Sequence, residues 1–199
     1  TPSYNQAAYL EACLGSVLGQ NYPNLDYRVL DAGSTDGSVE IIRRHADRLT
    51  AWRSGPDDGH YAAINEGFAE SDAEILGWIN SDDMLLPGSL QYVAEVFSSF
   101  PDIAWLTTLA QGHLNGSGDL EVHLLGGFSR DGWLDGRHAG QRWPRWDHHF
   151  LQQESTFFRR SLWTAVGGLR TEYSLAGDFD LWSRFFEHSE ITVTRRMLG

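Results

Sequence analysis

The chain contains no lysine. All fifteen of its basic residues are arginine, set against 27 acids, which leaves a formal net charge of -12 over 199 residues. A lysine-bearing phosphate loop is therefore excluded, and any phosphate site must use arginine, backbone N–H groups or a metal ion. The negative balance also opposes general binding to nucleic acid or to anionic membrane, because a polyanion is repelled at long range. Cysteine is nearly absent: Cys13 alone excludes an internal disulfide and any multi-cysteine metal centre, and it fits a reducing compartment. No apolar run approaches the roughly 20 residues needed to cross a bilayer, and the N-terminus shows neither a charged start nor an apolar signal core. The expected location is cytoplasmic, with any membrane contact peripheral and at the inner face. No Gly-x-Gly-x-x-Gly follows a strand, which argues against dinucleotide oxidoreduction.

What is present is enough apolar material for a full core, with 41% hydrophobic residues, and a pattern in which strands alternate with helices. Leu10, Cys13, Leu14, Val17 and Leu18 fall on one helical face, and Asn5 stands where a helix cap is expected. Tyr27 to Leu30 reads as a short strand ending at Asp31, followed by a turn at Gly33-Ser34-Thr35-Asp36-Gly37 and a helix carrying Val39, Ile42, Ala46 and Leu49. Further strands are expected at Ala51–Arg53, Ile75–Ile79 and Ile103–Leu106. Helices are expected over 61–68, from Pro87 to Phe100, over 161–166 and over 178–186. Such alternation predicts a mainly parallel, doubly wound α/β sheet with flanking helices, in which ligands bind beyond the carboxyl ends of the strands. Asp31, Asp57 and Asp82 all follow predicted strands and are placed to converge there.

Periodicity fades between Thr107 and His149, which reads as a long loop region whose tryptophans, Trp133, Trp143 and Trp146, argue for contact with something. One domain is expected over 1–199, with a nucleotide-binding part at about 1–106 and an acceptor-side part at about 107–199. Thr1-Pro2-Ser3-Tyr4-Asn5 reads as a loop that follows a strand, and Ile191-Thr192-Val193 leads into no finishing element, so the domain is expected to be trimmed at both ends. Asp147-His148-His149 does not read as a zinc site, because adjacent histidines point in different directions on regular structure.

The most informative segment is Ile75-Leu76-Gly77-Trp78-Ile79 running into Asn80-Ser81-Asp82-Asp83. Adjacent carboxylates repel each other unless water, a hydrogen-bond donor or a cation compensates, and hard divalent ions prefer oxygen ligands. In chain order, Thr1-Pro2-Ser3-Tyr4-Asn5, Asp31-Ala32-Gly33-Ser34-Thr35-Asp36-Gly37, Pro56-Asp57-Asp58-Gly59 with Ala63-Ile64-Asn65-Glu66-Gly67, and Asn80-Ser81-Asp82-Asp83 form a series. Gln152-Gln153-Glu154-Ser155-Thr156-Phe157-Phe158-Arg159-Arg160 and Gly177-Asp178-Phe179-Asp180-Leu181-Trp182 extend it. The series strongly resembles the family 2 glycosyltransferases and their GT-A nucleotide-sugar domain, over nearly the whole chain.

That resemblance implies an inverting transfer of sugar from a UDP- or GDP-type donor to a glycan or lipid-linked acceptor, helped by Mn2+ or Mg2+. It makes Asp82 the main metal ligand with Asp83 beside it. Asn80, where the family often has a first aspartate, is expected on the donor ribose or sugar. Thr1, Tyr4, Asp31 and Asp57 are assigned to the nucleotide. For Tyr4 a core ring and for Asp31 a plain turn are the competing roles, and Pro-Asp-Asp-Gly is also an ordinary turn. Asp36 reads as holding its own turn, and His60 as a residue near the diphosphate or a plain surface histidine.

The attacking hydroxyl must lose a proton, which calls for a general base. Asp178 is the candidate, three residues before Leu181 and six before Arg184 as in the family's Glu-Asp-x-x-Leu-x-x-Arg motif, except that Gly177 replaces the glutamate. Asp180 is its competitor. Glu154 and Trp146 are assigned to the acceptor, with an ion pair to Arg159 or Arg160 as the other role open to Glu154. Two other functions compete with transfer. A sugar-phosphate nucleotidyltransferase would need a glycine-rich basic loop near its start, which is missing, and a carbohydrate-binding module without turnover would explain Asn80 and Gly177.

Overall fold

A computed structural model describes residues 1–115, 117–136 and 150–199. Its strands are β1 (Pro2–Ser3), β2 (Arg28–Asp31), β3 (Ala51–Ser54), β4 (Ile75–Leu76), β5 (Trp105–Thr108), β6 (Ala110–Leu114), β7 (Leu120–Leu124), β8 (Phe157–Arg159) and β9 (Thr192–Thr194). The helices are α1 (Ala7–Leu18), α2 (Ser38–Arg44), α3 (His60–Ala69), α4 (Ser89–Ser99), α5 (Arg130–Leu134), α6 (Arg160–Val166) and α7 (Gly177–His188).

Strands β1, β2 and β3 pair in that order, all parallel. A second sheet has the order β4-β8-β5-β9, in which β8 runs antiparallel to both neighbours and β9 parallel to β5. The side chains of consecutive residues alternate between two cores, as strand geometry requires. Leu106 and Phe157 join an aliphatic cluster with Leu10, Leu14, Val29 and Val93 from α1, β2 and α4. Their neighbours Trp105 and Phe158 join an aromatic cluster with Trp78, Trp182 and Phe185. Helices thus cover both faces, the arrangement expected of a doubly wound α/β fold.

The helical face of α1 is buried at the five positions that its periodicity marks. Asn5 is not its cap. The first backbone N–H of α1, at Ala7, is taken by the Asp36 carboxylate from the loop after β2. Asn5 itself adopts a left-handed conformation (φ 52°) and accepts from the Thr35 N–H through its side chain. The stretch Gly77–Ile79 lies outside any strand, although it continues the apolar run of β4. At Gly77 a Cβ would come within 2.8 Å of the Phe157 ring, and the Trp78 carbonyl accepts from the Gln153 side chain instead of a ladder partner.

One expectation is corrected at the C-terminal half. The segment after Thr107 is not wholly irregular: β6 and β7 form an antiparallel hairpin, and α5 docks Trp133 into the aromatic core, where its indole N–H donates to Ser183 on α7. Residues 192–194 form β9, which pairs with β5. Trp143, Trp146 and Asp147-His148-His149 lie outside the described residues. Among the described residues no helix is long and apolar enough to cross a membrane.

Candidate functional site

The ends of β1, β2 and β3 and the Asn80–Asp83 turn border one cleft of about 560 Å³, lined by Ser3, Tyr4, Ala32, Asp57, His60, Asn80 and Asp82 among others. That volume suits a small-molecule ligand. A second crevice, beneath α3 and between the two sheets, offers only about 120 Å³ and is mostly apolar. The cleft has room for a nucleotide-sized molecule, and the crevice does not.

Tyr4 projects 61% exposed at the cleft rim, so it is not a core ring. Asp57 accepts from the Gly59 N–H, a two-residue side-chain turn that sets up the start of α3. Asp31 departs from the expectation. It is fully buried, and its carboxylate accepts from the Gly33 and Ser34 backbone N–H groups and from the Ser34 and Ser54 hydroxyls. Burial pushes its pKa up, but those hydrogen bonds outweigh it and hold the group below the usual carboxylate value. Asp31 therefore fastens the wall of the cleft instead of facing it. Thr1 is also displaced from its expected place: its hydroxyl bonds to Tyr27, and it borders the narrow crevice, not the cleft.

The carboxylates after β4 stand in the opposite condition. Asp82 is exposed at the cleft. Asp83 is half-buried beside it, and its pKa rises to about 6 because of burial and then the Asp82 charge, a hydrogen bond from Asn80 only partly opposing this. The Asn80 side-chain oxygen is buried with no hydrogen-bond partner. Glu154 joins this group. Burial, then Asp83, raises its pKa to about 7, and its hydrogen bond comes from Gln152. The ion-pair alternative for Glu154 is overturned, because Arg159 pairs with Glu74 and Arg160 donates to the Ala73 and Phe68 carbonyls. Glu154 instead shares with Asp82 and Asp83 a second opening of about 600 Å³ under the β6–β7 hairpin.

Among the described residues no three His, Cys, Asp or Glu side chains converge to hold a metal ion. Hard ions such as Mg2+ are nevertheless commonly held by one or two carboxylates, with substrate phosphate and water completing the shell. The adjacent carboxylates of Asp82 and Asp83, the first of which already raises the pKa of the second by its charge, fit an ion completed in that way.

On α7 the two candidate bases separate. Asp180 accepts from Arg184 at 2.9 and 2.7 Å and from Arg170 at 3.0 Å. Asp178 is half-buried, and burial raises its pKa while N–H groups of the first turn and the charge of His60 work against that rise. His60, on the cleft, is held below its ordinary pKa by burial, with Asp178, Asp57 and Asp82 pulling the other way. His60 thus senses both the cleft carboxylates and Asp178. Sequence reading left it between two roles because a lone histidine carries no spacing signal.

The model of the glycosyl transferase family 2 matches residues 1–166. The O-antigen biosynthesis protein RfbC of Myxococcus xanthus is 31% identical over 192 residues, covering 94% of this chain and 14% of that protein. Chondroitin synthase of Pasteurella multocida is 24% identical over 198 residues, 94% of this chain and 18% of its own length. The chain therefore spans a small part of these relatives. Among solved structures, S. aureus TarS superposes with a TM-score of 0.74 at 18% identity, over 99% of this chain and 35% of TarS. The mannosyltransferase PcManGT from Pyrobaculum calidifontis, in complex with GDP-Man and Mn2+, gives 0.69 at 19% identity, over 97% of this chain and 52% of that one. The fold is GT-A, and the chain belongs to glycosyl transferase family 2.

Proposed function

We propose that this chain binds a UDP- or GDP-type sugar in the cleft between Tyr4 and Asp82 and transfers the sugar, with inversion, to a glycan or lipid-linked acceptor. The observation that carries this is the contrast inside the cleft: its wall acid, Asp31, is saturated with hydrogen bonds, whereas Asp82, Asp83 and Asn80 present oxygens that protein donors leave largely unmet. Solved structures of TarS in complex with UDP and UDP-GlcNAc, and of the mannosyltransferase with GDP-Man and Mn2+, support a nucleotide sugar and a divalent ion for proteins of this fold.

In this reading Tyr4 stacks on the base and Asp57 meets the nucleoside at the opposite rim. Asn80 offers its oxygen to the ribose or sugar. Asp82 and Asp83 would hold Mn2+ or Mg2+, which when bound supplies Lewis-acid neutralisation of the charge growing on the leaving diphosphate. Asp178 takes the proton of the acceptor hydroxyl as it attacks the anomeric carbon, and its raised pKa brings it nearer to the working pH, where a base is most effective. Attack from the face opposite the leaving group inverts the anomeric centre. Glu154 faces the acceptor from the hairpin side. A lipid-linked acceptor would bring the domain to the inner face of a membrane.

The test is direct. UDP or GDP with Mn2+ should raise the melting temperature by mass action, and a nucleotide-sugar screen should release nucleoside diphosphate. Release of pyrophosphate would make the protein a nucleotidyltransferase. Binding without release would make it a binding module. Asp178→Asn should lower kcat by about 10²–10⁴ and leave nucleotide binding intact.

A further inference from the structure

The departure at Gly177 has a structural counterpart on another helix. Tyr61, the second residue of α3, reaches α7, and its hydroxyl accepts the Gly177 N–H at 2.8 Å. That N–H is one of the four that an α-helix leaves without an internal partner at its start. A Cβ on residue 177 would lie 2.6 and 2.7 Å from the Tyr61 ring, so the ring already fills the space that a side chain would need. The residue before it, Ala176, is held at φ 57°, a left-handed conformation that costs a residue with a Cβ on the order of 1–2 kcal/mol. Such a conformation persists only where surrounding contacts fix it, and the Tyr61 contact is adjacent. Asp178 follows directly. At the other end of the same dipeptide, the His60 ring meets Tyr61 edge-on, at 5.2 Å and 78°, and lines the cleft.

We propose that Tyr61 is a positioning residue for Asp178: its hydroxyl and ring set the first turn of α7 against the head of α3, tying the base to the helix that borders the donor cleft. The proposal rests on the proposed transferase reading. Tyr61 touches neither donor nor acceptor in this scheme and acts only through where it holds residues 176–178. Misplacing a reacting group by about 1 Å can cost a hundredfold in rate, so the effect belongs in kcat and not in donor KM.

The experiment compares Tyr61→Phe, Gly177→Ala, Tyr61→Ala and the Tyr61→Ala/Gly177→Ala pair in the intact protein, with the nucleotide sugar found by the screen above. Tyr61→Phe keeps the ring and removes the acceptor oxygen. It should lower kcat by about tenfold to a hundredfold with donor KM within twofold of wild type, and should speed hydrogen exchange at the Gly177 amide. Gly177→Ala should be costly beside the Tyr61 ring and nearly neutral once Tyr61 is alanine, a non-additive cycle expected of groups in direct contact. Full kcat in Tyr61→Phe, a loss confined to KM, unchanged exchange at Gly177, or an additive cycle would each overturn the proposal. Absence of nucleoside diphosphate release by the wild type would instead overturn the transferase reading, and the exchange measurement still decides whether Tyr61 holds the turn.

Discussion

The turns after β2 and after β4 are built from the same kind of sequence, aspartates among serines beyond the carboxyl end of a strand, yet they end in opposite electrostatic conditions. After β2, Asp31 and Asp36 are surrounded by donors. Asp31 accepts from two backbone N–H groups and two hydroxyls, and Asp36 from Ala7 and Ser38. Both have lowered pKa values in consequence. After β4, Asp83 is raised by burial and then by the charge of Asp82, and Glu154, brought beside it from the segment before β8, is raised by burial and then by the charges of Asp83 and Asp82. A carboxylate satisfied by its own chain builds the loop; one left short of donors keeps its capacity for a ligand.

The sharpest break between the two turns is expected in catalysis. Asp82→Asn should reduce turnover by about 10³, the equivalent of roughly 4 kcal/mol of transition-state stabilisation. It should also erase the part of the nucleotide thermal shift that depends on Mn2+, while the ligand-free melting temperature stays close to wild type. An intact Mn2+-dependent shift in this variant would remove Asp82 from the ion site.

Asp31→Asn should behave in reverse. It removes the charge of a buried carboxylate and turns an amide NH2 toward the Ser34 and Ser54 donors, and disrupting a network around a buried charged group costs about 2–4 kcal/mol. Thermal unfolding should fall by about 5–10 °C, and any loss of nucleotide affinity should follow from the loosened loop. If Asp31→Asn abolished nucleotide response without loss of stability, the division between loop-building and ligand-holding acids would fail.

That division also marks what was legible in the sequence. Strand ends follow from apolar runs meeting Asp-rich turns, and of Asp31, Asp57 and Asp82, the three acids placed to converge there, Asp57 and Asp82 line the cleft and Asp31 does not. The roles inside a turn were not legible, because the letters Asp-Ala-Gly-Ser do not say whether Ser34 and Ser54 will point at the carboxylate; only the register of β2 on β3, which sets Asp31 opposite Ser54, decides that. The β6–β7 hairpin did have a signal. Leu120-Glu121-Val122-His123-Leu124 alternates with the period of a strand, and Asn115 begins the turn before it. The role of Tyr61 had none, since its partner Gly177 lies 116 residues away.

The pH dependence of stability separates the two turns without any substrate. Asp83 and Glu154 have folded pKa values of about 6 and about 7, raised from ordinary carboxyl values of 3.8 and 4.5. A raised carboxylate contributes stability that is present below its unfolded pKa and lost as pH rises through the folded one. Asp31 and Asp36 are lowered, so their contribution is present above the unfolded pKa and is lost only as pH falls through their folded values. Between pH 5 and pH 8 the turn after β4 is therefore the one that loses. Asp83→Asn should raise the ligand-free melting temperature by about 3 °C at pH 8 and by about half as much at pH 5, which already lies above the unfolded pKa. With Mn2+ and nucleotide the order should invert, the wild type gaining and the variant not. Parallel profiles for the two proteins would show that Asp83 is not strained by its neighbours.

The smallest effect is expected from an acid that lies near the proposed base yet resembles Asp31 in being committed to donors. Asp180 sits two residues after Asp178 on α7, but its oxygens are taken by Arg184 and Arg170. Arg184 also reaches back to the Val166 carbonyl at 2.7 Å, so the pair fastens α7 to α6. One partner is largely buried and the other half-exposed, which limits the worth of the network to about 1 kcal/mol. Asp180→Asn should lower the melting temperature by about 2–4 °C and leave kcat within threefold of wild type, in contrast to the large kcat loss of Asp178→Asn. Equal kcat losses in the two variants would mean that the first turn of α7 acts as one unit. The hydrogen bonds of Asp180 would then no longer distinguish a structural acid from a catalytic one.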